Sequence, residues 1–199
     1  LQTQVGFMQV LDEDIRGPVI RRMDVEGAYG EADTVFSSFE VAEGWTTTFG
    51  NNSQNTIVDS LGRTWYTRGV TRDTLSPKFT STYRMGLLVD TFSDPWIQLP
   101  PILNPGTFSV YGGRFNTPAQ NVDLRLEYNN AGTWQMIGSA LSVTNTSTSD
   151  PAYELYQWNV DLLGVVTMRL TRAATGPQIY FDDIEVIPAP LWTNSTSFN

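Results

Sequence analysis

Tyr156-Gln157-Trp158-Asn159-Val160-Asp161-Leu162 sets a large apolar side chain at every second position and a polar one at each position between. Successive side chains of an extended chain point to opposite faces, so this stretch reads as a strand with one buried and one wet face. Leu124-Arg125-Leu126-Glu127-Tyr128 and Val166-Thr167-Met168-Arg169-Leu170 repeat the alternation. Helical spacing competes almost nowhere, and strand-like runs recur about every 10 to 15 residues between clusters of Asn, Gly, Pro and Ser. The layout predicts an all-β domain, an antiparallel two-sheet β-sandwich.

Outward from these runs, Asn129-Asn130-Ala131-Gly132 supplies residues that tolerate positive φ, so the strands ending at Tyr128 and starting near Trp134 are expected to close as a hairpin. A second turn is expected at Tyr111-Gly112-Gly113. Prolines at 95, 100, 101 and 105 predict a constrained loop or an edge segment there, with Trp96 partly exposed. Trp45, Trp134 and Trp158 read as core or hairpin-packing residues, with Trp65 a further candidate for that role.

The two ends stand apart. Residues 1–35 carry a strand candidate from Val5 to Leu11, an acidic Asp12-Glu13-Asp14 turn, Gly17-Pro18 and a further strand-like piece from Ile20 to Val25. That length is too small for a core of its own, so it is expected to be an N-terminal strand-forming arm that packs back on its own sandwich or donates a strand to a neighbouring subunit. Residues 36–187 are expected to form the sandwich and 188–199 a tail. No charged-then-apolar leader precedes the first strand candidate, so any targeting peptide is expected to have been removed or left out.

Composition narrows the functions. The 199 residues carry 21 acidic and 12 basic side chains, only Lys78 among them a lysine, for a net charge of −9. Phosphate backbones and anionic membrane surfaces need clustered cations, so nucleic acid is excluded as a partner and an anionic membrane is disfavoured. No apolar run approaches the length of a membrane-spanning helix. The absence of cysteine removes disulfide staples and thiolate nucleophiles, and leans with the acidity toward an extracellular or surface location. With no histidine either, a Ser-His-Asp triad and a His-ligated zinc are both impossible.

Paired carboxylates are the one remaining route to catalysis, and Asp183 with Glu185 is the candidate pair. Their setting departs from the Glu-x-Asp-x-x-Glu strand of jelly-roll glucanases, with Phe181 where the leading Glu belongs, and the expectation is that the chain is not an enzyme. On the same final strand, alternation sets Asp182 among Tyr180, Ile184 and Val186. A carboxylate facing an apolar interior needs a cation, donors or a place at the rim, and calcium, an oxygen-seeking ion, would satisfy it. Asp12-Glu13-Asp14-Ile15-Arg16-Gly17 does not make a calcium loop, because Arg16 stands in for an oxygen ligand and Met23 for the closing Glu.

The order of Phe39-Glu40 and Gly44-Trp45, then Leu126 to Trp134, then Ile179-Tyr180-Phe181-Asp182-Asp183-Ile184-Glu185-Val186 resembles the carbohydrate-binding-module-like jelly rolls of the galactose-binding-like group, which include cell-surface anchor modules. The resemblance covers residues 36–187 and implies a jelly roll that binds or assembles. It also implies Glu40 as a second ligand to a structural Ca2+, giving Glu40, Asp182 and Asp183 as the metal candidates.

Aromatic side chains outside the clean core alternation are the candidates for stacking on a sugar, with Tyr66, Arg68 and Trp96 the expected ligand-binding residues. Tyr83 and Trp192 are further aromatics of that kind. Asn51, Asn145 and Asn194 open Asn-x-Ser/Thr sequences and are glycosylation candidates if the source glycosylates. The reading that follows is a non-catalytic structural or adhesive subunit of an extracellular surface assembly, such as a filament, coat or virion appendage, with neighbouring subunits as partners. The alternative is a glycan-binding module of a secreted enzyme or adhesin.

Overall fold

The computed structural model describes residues 34–45, 54–73, 84–87, 94–114, 122–144, 153–172 and 178–189. The chain divides between Ala32 and Asp33 into two units, and the described residues all belong to the second. The Val5–Leu11 strand candidate, Tyr83, Trp192 and the glycosylation candidates Asn51, Asn145 and Asn194 lie outside the described residues.

Strands in chain order are β1 (Val35–Ser37), β2 (Asn55–Val58), β3 (Thr64–Arg68), β4 (Val70–Asp73), β5 (Arg84–Leu87), β6 (Trp96–Gln98), β7 (Ile102–Leu103) and β8 (Pro105–Arg114). They continue as β9 (Val122–Asn130), β10 (Thr133–Met136), β11 (Leu141–Val143), β12 (Glu154–Asn159), β13 (Val165–Val166), β14 (Met168–Arg172) and β15 (Ile179–Pro188). Among the described residues these make a six-stranded sheet, ordered β12-β8-β15-β5-β4 with β1 also on β15, and a seven-stranded sheet, ordered β10-β9-β14-β6-β3-β2 with β11 also on β9. A short β13-β7 pair stands beside them, and every pairing is antiparallel. The architecture is the expected all-β sandwich.

The alternating runs behave as their periodicity demands. Tyr156 and Trp158 of β12 turn inward while Gln157 and Asn159 stay exposed, and Leu124 and Leu126 of β9 are fully buried beside Leu170 of β14. The two sheets meet through aromatic side chains. Phe39 stacks edge-on against Phe181 of the six-stranded sheet (5.5 Å) and against Trp45 (5.1 Å), which in turn meets Trp65 of the seven-stranded sheet (5.5 Å). Burying an indole requires a partner for its N–H. Trp45 donates to Ser37 Oγ (2.9 Å), Trp65 to Asp59 Oδ2 (3.0 Å) and Trp158 to the Ser139 carbonyl (3.0 Å).

Three expectations are corrected. Tyr111-Gly112-Gly113 is not a turn but part of the unbroken ten-residue β8. A Cβ at Gly112 would lie 3.3 Å from the Tyr156 ring, so this glycine makes room for a cross-strand aromatic rather than a reversal. The proline-rich stretch is not loop or edge throughout, because Trp96–Gln98 within it is the central strand β6, bonded to β14 on one side and β3 on the other, while Pro95, Pro100 and Pro101 lie outside the strands. None of its prolines falls within Trp96–Gln98, so β6 loses no ladder donor.

The third correction concerns the last strand. Asp182 pairs with Tyr111 and Glu185 with Ser109, leaving Asp183 and Ile184 opposite Val110 alone. This β-bulge, with Asp183 at φ 48°, shifts the alternation by one residue. Ile179 and Phe181 before it, and Ile184 and Val186 after it, all join the core. Tyr180 and Asp182 therefore share the opposite face, and Asp182 does not lie among Ile184 and Val186.

Candidate functional site

The outward face of the seven-stranded sheet gathers the chemistry. Residues directly opposite in an antiparallel ladder point to the same side, and the core side of this sheet is fixed by Leu126, Leu170 and Ile97, which pair in line. The alternate positions therefore face outward. One outward row runs Arg125-Thr171-Trp96-Arg68 across β9, β14, β6 and β3. The next runs Glu127-Arg169-Gln98-Tyr66 across the same strands. Within a row, neighbours stand about 4.8 Å apart, the strand spacing of a sheet.

The sequence-predicted ligand residues Tyr66, Arg68 and Trp96 thus come together on one face, Arg68 opposite Trp96 and Tyr66 beside them. Trp96 and Tyr66 are half-buried and Arg68 is exposed. Within the first row, Thr171 is buried and donates its hydroxyl to the Pro95 carbonyl (2.8 Å), which ties β14 to the start of β6.

Arg169 is held on two sides. Its Nε and Nη2 both donate to Glu127 Oε2 at 2.6 Å, and its guanidinium carbon lies 4.4 Å from the centre of the Trp134 ring. A guanidinium over an indole face gains cation–π attraction as well as the charge-assisted bonds. Trp134 sits on β10, where the hairpin expected at Asn129–Gly132 forms with Ala131 and Gly132 as its two turn residues, at φ 50° and 91°. Asn129 does not enter the turn itself; its Oδ1 accepts the Gly132 N–H (2.7 Å). Sequence reasoning missed Glu127, Arg169 and Arg125, because charges at outward positions read only as a wet face until strand register sets them side by side.

The metal candidates are placed differently. Asp182 is fully buried and Asp183 nearly so at the bulge, and Asp182 Oδ1 accepts the Asp183 N–H (2.9 Å). Glu40 precedes the short turn Val41–Glu43, where its carbonyl accepts the N–H groups of Glu43 (3.1 Å) and Trp45 (3.2 Å). Among the described residues no three acidic side chains are gathered as a metal-holding group, so Glu40 is not brought together with Asp182 and Asp183. The bulge also breaks the two-residue repeat that would set Asp183 beside Glu185 on one face.

Asp59 is a carboxylate of structural use. Burial pushes its carboxyl up, but the Trp65 indole N–H, the Arg63 N–H and the Arg63 guanidinium outweigh that and hold it below the usual carboxylate range. Its Oδ2 accepts from Arg63 Nε at 2.7 Å and from Trp65, locking the turn between β2 and β3 that carries Tyr66 and Arg68.

No protein-family model matches the chain, and no curated protein does. Among solved structures, the K1 cleaved adhesin domain of Lys-gingipain from Porphyromonas gingivalis W83 is similar at 12% identity and a TM-score of 0.56, over 79% of this chain and 99% of that one. The chain shares the jelly-roll β-sandwich fold of that adhesin domain. The K2 cleaved adhesin domain of Lys-gingipain is similar at 13% identity and a TM-score of 0.50, over 78% of this chain and 99% of that one. The CBM22-1 xylan-binding domain of Paenibacillus barcinonensis Xyn10C has 16% identity and a TM-score of 0.48, over 79% of this chain and 97% of that one. Among the described residues no helix is long and apolar enough to cross a membrane.

Proposed function

We propose that this chain is a non-catalytic, extracellular glycan-binding module whose binding surface is the outward face of the seven-stranded sheet. The observation that carries the reading is the pair of outward rows, in which Trp96 and Tyr66 lie among Arg68, Gln98, Arg169 and Glu127. An aromatic ring covers the apolar face of a pyranose while adjacent donors and acceptors meet its hydroxyls. The absence of histidine and cysteine from the sequence supports the non-catalytic part. A jelly-roll fold shared with adhesin domains supports an exterior location.

Affinity electrophoresis through gels cast with soluble polysaccharides tests the proposal. The native chain is retarded by at least one of them, and Trp96→Ala runs as in a blank gel with its melting temperature preserved. Equal retardation of the two chains would overturn the assignment of the face.

Calcium belongs to the proposal at the Asp182–Asp183 bulge only. Two adjacent buried carboxylates supply the hard oxygen donors this ion takes, without Glu40. A chelator then lowers the melting temperature and calcium restores it; an unchanged melt removes the ion from the account. The assembly reading rests on the arm over residues 1–35. Its test is particle size before and after removal of residues 1–32.

A further inference from the structure

Arg169 and Glu127 form an ion pair that uses only part of each group. Both bonds from Arg169 converge on Glu127 Oε2. Glu127 Oε1 and Arg169 Nη1 accept and donate no further hydrogen bond among the described residues, while each side chain keeps 16% of its surface exposed. One acceptor and one donor thus stand next to each other on the outward face, with the guanidinium held against the Trp134 ring. Gln98 and Tyr66 continue the same row, each one strand further along.

We infer that the Glu127–Arg169 pair reads a vicinal diol of a neutral glycan whose chain runs across the strands. Two hydroxyls on adjacent ring carbons offer one donor to Glu127 Oε1 and one acceptor to Arg169, the complement of what the pair leaves unused. The row's spacing of about 4.8 Å per strand is close to the length of one pyranose residue, so the sugars that follow meet Gln98 and Tyr66 in turn. Trp96 flanks this path as the stacking surface. Trp134 is a positioning residue, since the Arg169 guanidinium occupies its face.

Charge selects the neutral class. Arg68, Arg125 and Arg169 share the outward face with Glu127 and, by the same alternation, with Asp123 on β9, so the cations there are largely offset by anions. A chain of net charge −9 repels an anionic glycan as a whole, and Glu127 opposes a carboxylate brought to its own position.

The inference rests on the glycan-binding reading, and the experiment separates their failures. Native protein and the variants Glu127→Gln, Arg169→Lys, Trp134→Ala, Trp134→Phe and Trp96→Ala are run through gels containing β-glucan, arabinoxylan, glucomannan or dextran. Parallel gels contain the same polymers methylated on their ring hydroxyls, and polygalacturonate. The native chain is retarded by a neutral polymer, less than twofold affected by raising NaCl tenfold, and methylation abolishes the retardation. Glu127→Gln and Arg169→Lys each weaken binding tenfold or more with melting temperatures near native, and Trp134→Phe recovers most of what Trp134→Ala loses. Native affinity in both Glu127→Gln and Arg169→Lys, with binding lost only in Trp96→Ala, would overturn the diol clamp and keep the glycan face. Salt-sensitive binding to polygalacturonate would overturn the neutral class. If the native chain binds no polymer of the panel, the glycan reading falls and the clamp with it.

Discussion

Single side chains carry the sharpest consequences. Asp59 takes bonds from Trp65 and Arg63 that only a carboxylate can accept together, so Asp59→Asn presents an amide donor to two N–H groups. The loss is expected to be about 1–3 kcal/mol in urea unfolding at pH 7. Because its folded carboxyl titrates below the ordinary value of 3.8, Asp59 contributes stability above that pH and loses it as pH falls through the folded value. The gap between native and Asp59→Asn stability is therefore expected to narrow on acidification, which melts at pH 7 and pH 3 measure directly. Trp45 is fully buried and links Phe39 to Trp65, so Trp45→Ala opens a cavity between the sheets at a cost of about 3–5 kcal/mol. On the proposed binding face, Trp96→Ala is expected to cost about tenfold or more in glycan affinity, the usual weight of an interfacial indole.

At the scale of elements, alternation made β9, β12 and β14 legible because each has one face in the core and one outside. Where that condition fails, so does the pattern. Gly112 looked like a turn residue because sequence cannot distinguish a glycine that reverses the chain from one that admits the Tyr156 ring. β6 has too few residues to display a period, and its prolines obscured a strand held between two neighbours. The bulge at Asp183 inverted the face of Asp182 because a left-handed aspartate leaves no mark in composition. Tyr66, Arg68 and Trp96 were legible as residues that break the core pattern, whereas Glu127 and Arg169, which obey it, became a pair only through register. The β9–β10 hairpin carries a further prediction. Ala131 occupies positive φ at the first of two turn positions where asparagine is favoured, so Ala131→Asn is expected to raise stability by up to about 1 kcal/mol, read as a higher melting temperature.

For the molecule as a whole, the aromatic bridge from Phe181 through Phe39 and Trp45 to Trp65 joins the two sheets. The sandwich supplies a rigid support, and the seven-stranded sheet supplies a surface whose residues come from four strands. A chain beginning at Asp33 keeps every described element, so it is expected to melt cooperatively and to bind the same polysaccharide as the full chain. Loss of that binding on removal of residues 1–32 would locate the function in the arm instead. The central claim, that this sheet face meets the glycan, is tested most directly by fluorine NMR. The chain's six tryptophans are replaced by 5-fluorotryptophan, and each resonance is assigned by single Trp→Phe changes. On titration with the retarding polysaccharide, Trp96 is expected to shift most and Trp134 less, with Trp45 and Trp65 unmoved; a silent Trp96 in a protein that binds would contradict the account.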